Sequence, residues 1–239
     1  MRLNLLLGFS ALWALCSIGP FSLVHGQDIV ADIVFSHDTT IEGDLIVASN
    51  RICVIKPGVT IKFAGYGRMG VYGVLVAAGS VDSQIVITAE GRPQGSTAAP
   101  DWKGIEIVGK VSQAQMRHCR IEGAFRNLVW DASPVFDSCS FAGNHYALYC
   151  AKQARPHVKS CSFYRNKYGI TVDLAATLLL DNTITENTIG LYLLLCSESL
   201  VGRNIIKSNT TDIKTEESLG CHKGSMSLHY LWNVMNQLY

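Results

Sequence analysis

Cys161-Ser162-Phe163-Tyr164-Arg165-Asn166-Lys167-Tyr168-Gly169-Ile170 is the stretch whose reading decides the fold. Cys161 and Phe163 alternate with Ser160 and Ser162, a period of two that belongs to a strand and not to a helix. The same alternation stands one repeat earlier, where Cys139 and Phe141 alternate with Ser138 and Ser140. The Asn three residues after each Phe, Asn144 and Asn166, sits where the chain must bend before its next apolar segment.

Working outward, the chain lines up as five turns that begin at Ser112, Pro134, Pro156, Leu178 and Leu200, a spacing of 22 residues that drifts slightly from column to column. One column reads Met116, Phe136, Val158, Leu179 and Val201; a second reads Cys119, Cys139, Cys161, Asn182 and Asn204. A third is Ile121, Phe141, Phe163, Ile184 and Ile206; a fourth is Ala124, Asn144, Asn166, Asn187 and Asn209. A fifth is Leu128, Leu148, Ile170, Leu191 and Ile213. Short strands on a fixed period of this length match one coil of a parallel β-helix, whose coils stack at about 4.8 Å. The apolar columns then fill the interior. Asn144, Asn166, Asn187 and Asn209 form an amide ladder that satisfies itself from coil to coil, and Cys119, Cys139 and Cys161 fill a neighbouring structural column as small apolar groups. A leucine-rich repeat has a similar length, but only Leu191 to Leu195 is leucine-dense.

The earlier part of the chain is strand-rich too. Candidates are 40–47, 52–55, 59–63, 71–76, 84–88 and 102–107, with turn residues between them. Glu90 to Asp101 is rich in Gly, Pro, Ser and Ala and reads as a loop projecting from the stack. The expected architecture is all-β: a single-stranded right-handed parallel β-helix of about eight or nine coils over 38–215, with the repeat clearest over 112–215. Residues 27–37 are expected to cap one end. Residues 216–239, which carry Cys221, Trp232 and several Leu and Met, form either a cap over the other end or the truncated end of a longer array.

The first residues set the compartment. Arg2 followed by an apolar run from Leu5 to Ile18 reads as a signal peptide over 1–26, with Gln27 as the new N-terminus and secretion as the consequence. An uncleaved membrane anchor is the competing reading of the same run. No later segment is long and apolar enough to span a membrane. Lys and Arg total 20 against 19 Asp and Glu, which excludes a broad phosphate-binding face and with it nucleic acid as a partner. Of eight cysteines, Cys16 leaves with the signal; the seven that remain are an odd number, so one thiol is free or pairs with another chain. Cys196 and Cys221, in the loop-rich terminal coils, are the disulfide candidates.

The run IEGDLIV…VIKPGVTIKFAG…YGVLVAAGS…QIVITA…DWKGIEI, with the later CSFxxNxxGI pattern, resembles right-handed β-helix repeat proteins of the pectin-lyase-like superfamily over roughly residues 38–215. It also resembles the β-helix modules of the bark beetle (Anakonda) family of insect cell-junction proteins. The resemblance implies the fold. For activity it implies either carbohydrate chemistry or none, since the superfamily holds polysaccharide lyases, hydrolases and epimerases.

The residues that such chemistry needs are sparse. The chain has no Asp-Asp pair and no Gly-His-Gly, and Arg203-Asn204-Ile205-Ile206-Lys207 is the one echo of the hydrolases' Arg-x-Lys motif. Asp131 and Asp173 occupy comparable outward positions two coils apart with Ala151 between them. Carboxylates about 9.6 Å apart would suit an inverting hydrolase, and solvated strand acids are the plainer reading. Gly65-Tyr66-Gly67-Arg68-Met69-Gly70 matches G-x-G-x-x-G, but a strand follows where a dinucleotide site needs a helix. The scattered histidines, His118, His145 and His157 among them, give no metal set, and no cofactor is expected. Asn209-Thr210-Thr211 is the one glycosylation sequon of the mature chain, and Asn209 is also the last member of the amide ladder. Tyr146, Tyr149, Tyr164 and Tyr168 fall within two coils and suggest an outer face able to meet sugars or proteins. The expected function is an extracellular scaffold or adhesion module that binds a glycan or a cell-surface protein; the alternative is a secreted polysaccharide lyase or glycoside hydrolase.

Overall fold

The computed structural model describes residues 16–17, 22–29, 31–194, 197 and 199–216, with the backbone alone at 16–17, 22–29 and 200. Every strand pairing among them is parallel, and no helix occurs in the described residues. Each coil contributes three short strands, and the strands of successive coils stack into three walls. The first wall is a nine-stranded sheet that runs from Cys16–Ser17 through Val74–Ala78 and Val135–Asp137 to Leu200–Gly202. The second and third walls share one sixteen-stranded sheet, because the long strand Thr39–Val47 bends through both. Its first half pairs with Thr60–Ala64 in the second wall, and its second half pairs with Arg68–Val71 in the third. The result is a parallel β-helix of about eight turns.

Alternate residues of each strand point inward and stack on their equivalents above and below. Ile121, Phe141, Phe163 and Ile184 form one interior column, with the Phe141 and Phe163 rings 4.8 Å apart and 3° from parallel. Met116, Phe136, Val158, Leu179 and Val201 form another in the expected register. Near the start of the repeat, Trp102 stacks on Phe63 at 4.7 Å and donates its Nε1 hydrogen to the Glu122 carbonyl at 2.8 Å. A fully buried indole is tolerated there because its one polar atom has an acceptor.

The corners are built from left-handed residues. His118, Ser138, Ser160, Asp181 and Arg203 have positive φ at the first-to-second wall corner. Gly123, Gly143, Arg165, Glu186 and Ser208 do so at the second-to-third. Each turns the chain so that the next amide faces along the axis, where the ladder residue of the following coil takes it. The amide of Ala124 donates to Asn144 Oδ1, that of Asn144 to Asn166, that of Asn166 to Asn187 and that of Asn187 to Asn209, all within 3.0 Å. Each Nδ2 then donates back to a strand carbonyl, for instance Asn166 to Phe141 at 3.0 Å. The second column repeats the device with sulfur and then amides: the Cys139 amide donates to Cys161 Sγ, the Cys161 amide to Asn182 Oδ1, and the Asn182 amide to Asn204 Oδ1. Asn side chains thus bond from coil to coil in one column, and Cys161, Asn182 and Asn204 do so in the other.

Four expectations change on contact with the structure. Leu128 does not belong with Leu148: it pairs with Tyr149, because the register shifts by one residue between Arg126 and Leu128. Asn127 fills the place instead, accepting from the Ile105 amide at 3.1 Å and donating to the Ala147 carbonyl at 3.0 Å. In the next three coils the strands Tyr146–Ala151, Tyr168–Asp173 and Ile189–Leu194 carry an extra small residue, Ala147, Gly169 and Gly190. A Cβ on Gly169 would lie 2.4 Å from the Gly190 carbonyl oxygen. The single strand expected over 71–76 is two, Arg68–Val71 and Val74–Ala78, broken at Gly73, where a Cβ would lie 2.1 Å from the Ala48 oxygen. The repeat starts also slip by one: Pro134 and Pro156 align with Thr177 and Ser199, whose side chains bond to each other at 2.6 Å, and not with Leu178 and Leu200. Finally, within the segment expected to cap the stack, Gln27 to Ile29 pair with Leu45 to Val47, and Ile33–Phe35 pairs with Cys53 to Ile55, so this segment is itself a coil. The paired strand Ser22–Ile29 runs across the expected cleavage position. The tail beyond Glu216 lies outside the described residues.

Glu90 to Asp101 leaves the stack as expected and folds back over the second wall. It carries no large apolar side chain; its fastening is Arg92, whose side chain is 1% exposed. The guanidinium donates to the carbonyls of Ser96, Ala98 and Ala99 within the loop, to Gly143 on the wall, and to the Asp101 carboxylate.

Candidate functional site

The outer side of the third wall, from the coil of Arg126 to that of Glu216, is the one region of the described residues where aromatic and charged side chains run together. Strand alternation sends Arg126, Tyr146 and Tyr168 outward in one column, and Tyr149, Thr171 and Tyr192 in the next. The one-residue shift beside Leu128 is what puts Tyr149 in the second column, and Tyr149 then meets Tyr146 edge-on at 5.5 Å. Tyr146 and Tyr168 stack at 4.5 Å and 8° from parallel, close to the spacing of the coils that carry them. Tyr192 continues the stack at 6.1 Å, and Thr171 is buried beneath the rings. At the corner, Phe125 and His145 extend the group: His145 lies 4.8 Å from Tyr146 and 5.1 Å from Phe125.

Three of these rings, Tyr149, Tyr168 and Tyr192, have a cation over them. Arg126 sits 5.8 Å over Tyr149, Lys167 5.8 Å over Tyr168 and Lys214 5.0 Å over Tyr192; at the far corner Lys152 lies 5.4 Å over Trp130. Rings attract cations through their negative faces, so these positions are favourable without a carboxylate. Two phenols also donate to acids: Tyr149 to Asp173 at 3.2 Å, and Tyr192 to Glu216. Burial, and then the Asp173 carboxylate, push the Tyr149 phenol up to about 12. The bond to Glu216, and then burial, take Tyr192 up to about 12 as well. Burial and the nearby Lys167 charge hold His145 below the ordinary imidazole range.

Upstream on the same wall stands a charged quartet. Arg68 Nε meets Asp44 at 3.0 Å and its NH1 meets Glu106 at 2.5 Å, while Lys103 Nζ lies 3.4 Å from Asp44. Two acids and two bases neutralise one another here. Glu106 pairs with Leu128 in the column that leads to Tyr149, so the quartet borders the aromatic row.

The residues singled out from the sequence distribute as follows. Asp131 and Asp173 do not face each other across Ala151: the outward column is Trp130, Ala151 and Asp173, and Asp131 is the left-handed corner residue one step beyond. The cause is again the register shift beside Leu128, which turns the step of 20 residues from Arg126 to Tyr146 into one of 21 from Trp130 to Ala151. Tyr164 lies on the second wall, paired with Ala142 and Thr185, and not with the other tyrosines. Tyr192, Phe125 and His145 join the cluster in its place. Asn209 Nδ2, the atom that a glycan would take, donates to Ile184, Lys207 and Asp212. Cys119, Cys139 and Cys161 are buried free thiols, as are Cys53 and Cys150; burial pushes Cys53 up to about 12. Cys196 and Cys221 lie outside the described residues. Gly67 of the glycine-rich stretch packs against Gly43, with strand Arg68–Val71 following it.

The outward cluster was legible only in part because no interior requirement repeats it. Tyr192 could have been found by placing it one coil beyond Thr171; Phe125 and His145 sit on a corner whose direction follows from the neighbouring left-handed residues.

Comparison with known families agrees with this architecture. A family model described as the right-handed β-helix region matches residues 103–227, over half of the chain. Comparisons with curated proteins and with solved structures give no match. The matched segment takes in the amide ladders and the aromatic row alike, and the chain belongs to the right-handed β-helix family.

Proposed function

We propose that the protein is an extracellular, non-enzymatic β-helix scaffold or adhesion module that binds a glycan or protein through the outer face of its third wall. The observation that carries this is the continuous contact of Phe125, His145, Tyr146, Tyr149, Tyr168 and Tyr192, with cations seated on the rings. Aromatic and arginine side chains fixed by packing lose little entropy on binding, which is why they concentrate in recognition surfaces. The coil stack holds them without a moving part. The leader-like first residues support the extracellular location.

A secreted carbohydrate-active enzyme is the second reading, and the quartet favours it: Asp44 and Glu106 share Arg68 beside the aromatic row. The two part on turnover. Folded protein is incubated with neutral and acidic polysaccharides, with and without calcium, and followed for new reducing ends and unsaturated uronate. The scaffold reading expects no product above heat-killed protein. Product that disappears in Glu106→Gln would replace it with the enzyme reading.

A further inference from the structure

The third wall carries three cations that no carboxylate pairs directly among the described residues. Arg126, Lys152 and Lys167 make no ion pair among the described residues, in contrast to Lys214, which meets Glu216 at 2.6 Å. Arg126 Nε is buried with no acceptor. That nitrogen is out of a ligand's reach, but the residue is half-buried, and its terminal N–H groups have no acceptor among the described residues and can take a carboxylate.

The rings between these cations have their faces occupied. Tyr146 and Tyr168 cover each other at 4.5 Å, and Lys167 lies over Tyr168. What they turn to solvent is edges and phenol hydroxyls. A pyranose seats on an open aromatic face, and this row offers none between Tyr146 and Tyr168. Large apolar side chains border the row at both corners: Phe125 is 38% exposed, Trp130 40% and Leu174 43%. A ligand that satisfies all of this must bring carboxylates for Arg126 and Lys167 and apolar groups for the corners, a combination that a polysaccharide lacks and a polypeptide has.

We propose that the third wall docks an acidic polypeptide segment of a partner protein, with a side-chain carboxylate on the Arg126 guanidinium, a second on Lys167, and apolar side chains against Phe125 and Trp130. This rests on the binding-module reading and narrows it to one partner chemistry.

The test uses the full folded chain and fluorescence anisotropy. Three labelled probes are compared: a peptide of repeating Glu-Glu-Phe, its Lys-Lys-Phe counterpart, and an oligogalacturonate. The Glu-Glu-Phe peptide alone should bind, and Arg126→Gln with Lys167→Gln should weaken it by about tenfold or more while leaving circular dichroism unchanged. Raised salt should weaken it in the same direction. Equal binding of both peptides, or binding untouched by the double variant, overturns the proposal. Oligogalacturonate binding that Tyr146→Ala removes overturns it too, yet leaves the wall as the binding face. Binding of no probe overturns it, and if Tyr146→Ala also leaves binding to cells unchanged, the binding-face reading falls with it.

Discussion

Asn166 donates Nδ2 hydrogens to the Phe141 carbonyl and to Asn187 Oδ1, while its own Oδ1 accepts from the Asn144 amide and side chain. One buried side chain thus closes bonds in the coils on either side of its own. Removing it strands the Asn144 amide and the Phe141 carbonyl in a place water does not reach. Asn166→Ala should cost on the order of 3 kcal/mol in urea unfolding, since each buried unpaired group costs about 1–3 kcal/mol. Asn209→Ala, at the half-buried last rung, should cost less; equal losses would contradict the ladder account. Tyrosine titration reads a second residue-scale effect. Tyr149 and Tyr192 are raised from 10.0 to about 12, so folding favours their neutral form. Their contribution to stability is complete below pH 10 and is lost as pH rises through the folded value near 12. Absorbance at alkaline pH should show two phenols ionising later than the rest, and Asp173→Asn should bring Tyr149 down. Asn positions were plain in the sequence because each rung demands the same side chain. Asn127 was not, because it is a single plug at a register shift with no counterpart in the next coil.

Among elements, the strand interiors were the most legible and the corners the least. Cys119 to Ile121, Cys139 to Phe141 and Cys161 to Phe163 alternate in and out, and their columns hold in the structure. The third-wall strands carry an extra residue at Ala147, Gly169 and Gly190; the column Leu148, Ile170, Leu191 and Ile213 holds beyond it, but strand Arg126–Trp130 lacks the extra residue and falls one step out of line. A constant spacing therefore sets Leu128 beside Leu148 and Asp131 opposite Asp173, where the structure has Tyr149 and Trp130. Small residues were the available signal, since at Gly169 even a Cβ would lie 2.4 Å from the Gly190 carbonyl oxygen. The loop from Glu90 to Asp101 was legible from composition, but its anchor was not: Arg92 is an ordinary charged residue until its five acceptors are seen. Arg92→Ala should free this loop while leaving the stack intact. Limited proteolysis should then cut within residues 90–101 at least about tenfold faster, local opening being governed by the few bonds that hold the segment. An unchanged rate would show that other contacts fasten it.

For the molecule as a whole, the interior is generic and the outside distinguishes the walls. Coil stacking requires apolar columns and amide rungs, so fold and family could be read from period alone. It requires nothing of the outward positions, and the aromatic row appears there without a period to announce it. The first wall turns out Val135 and His157, the second Ser140 and Ser162, the third Tyr146 and Tyr168. The central claim is that recognition belongs to the third wall and that the other two serve as scaffold. Paired alanine substitutions at those three sets, each shown to be folded, permit a direct comparison of saturable binding to cell surfaces. The account predicts that Tyr146→Ala with Tyr168→Ala loses about tenfold or more in affinity, as truncation of aromatic anchors does, while the other two pairs bind as the unaltered protein does. Loss confined to the first or second wall, or equal loss from all three, would contradict it.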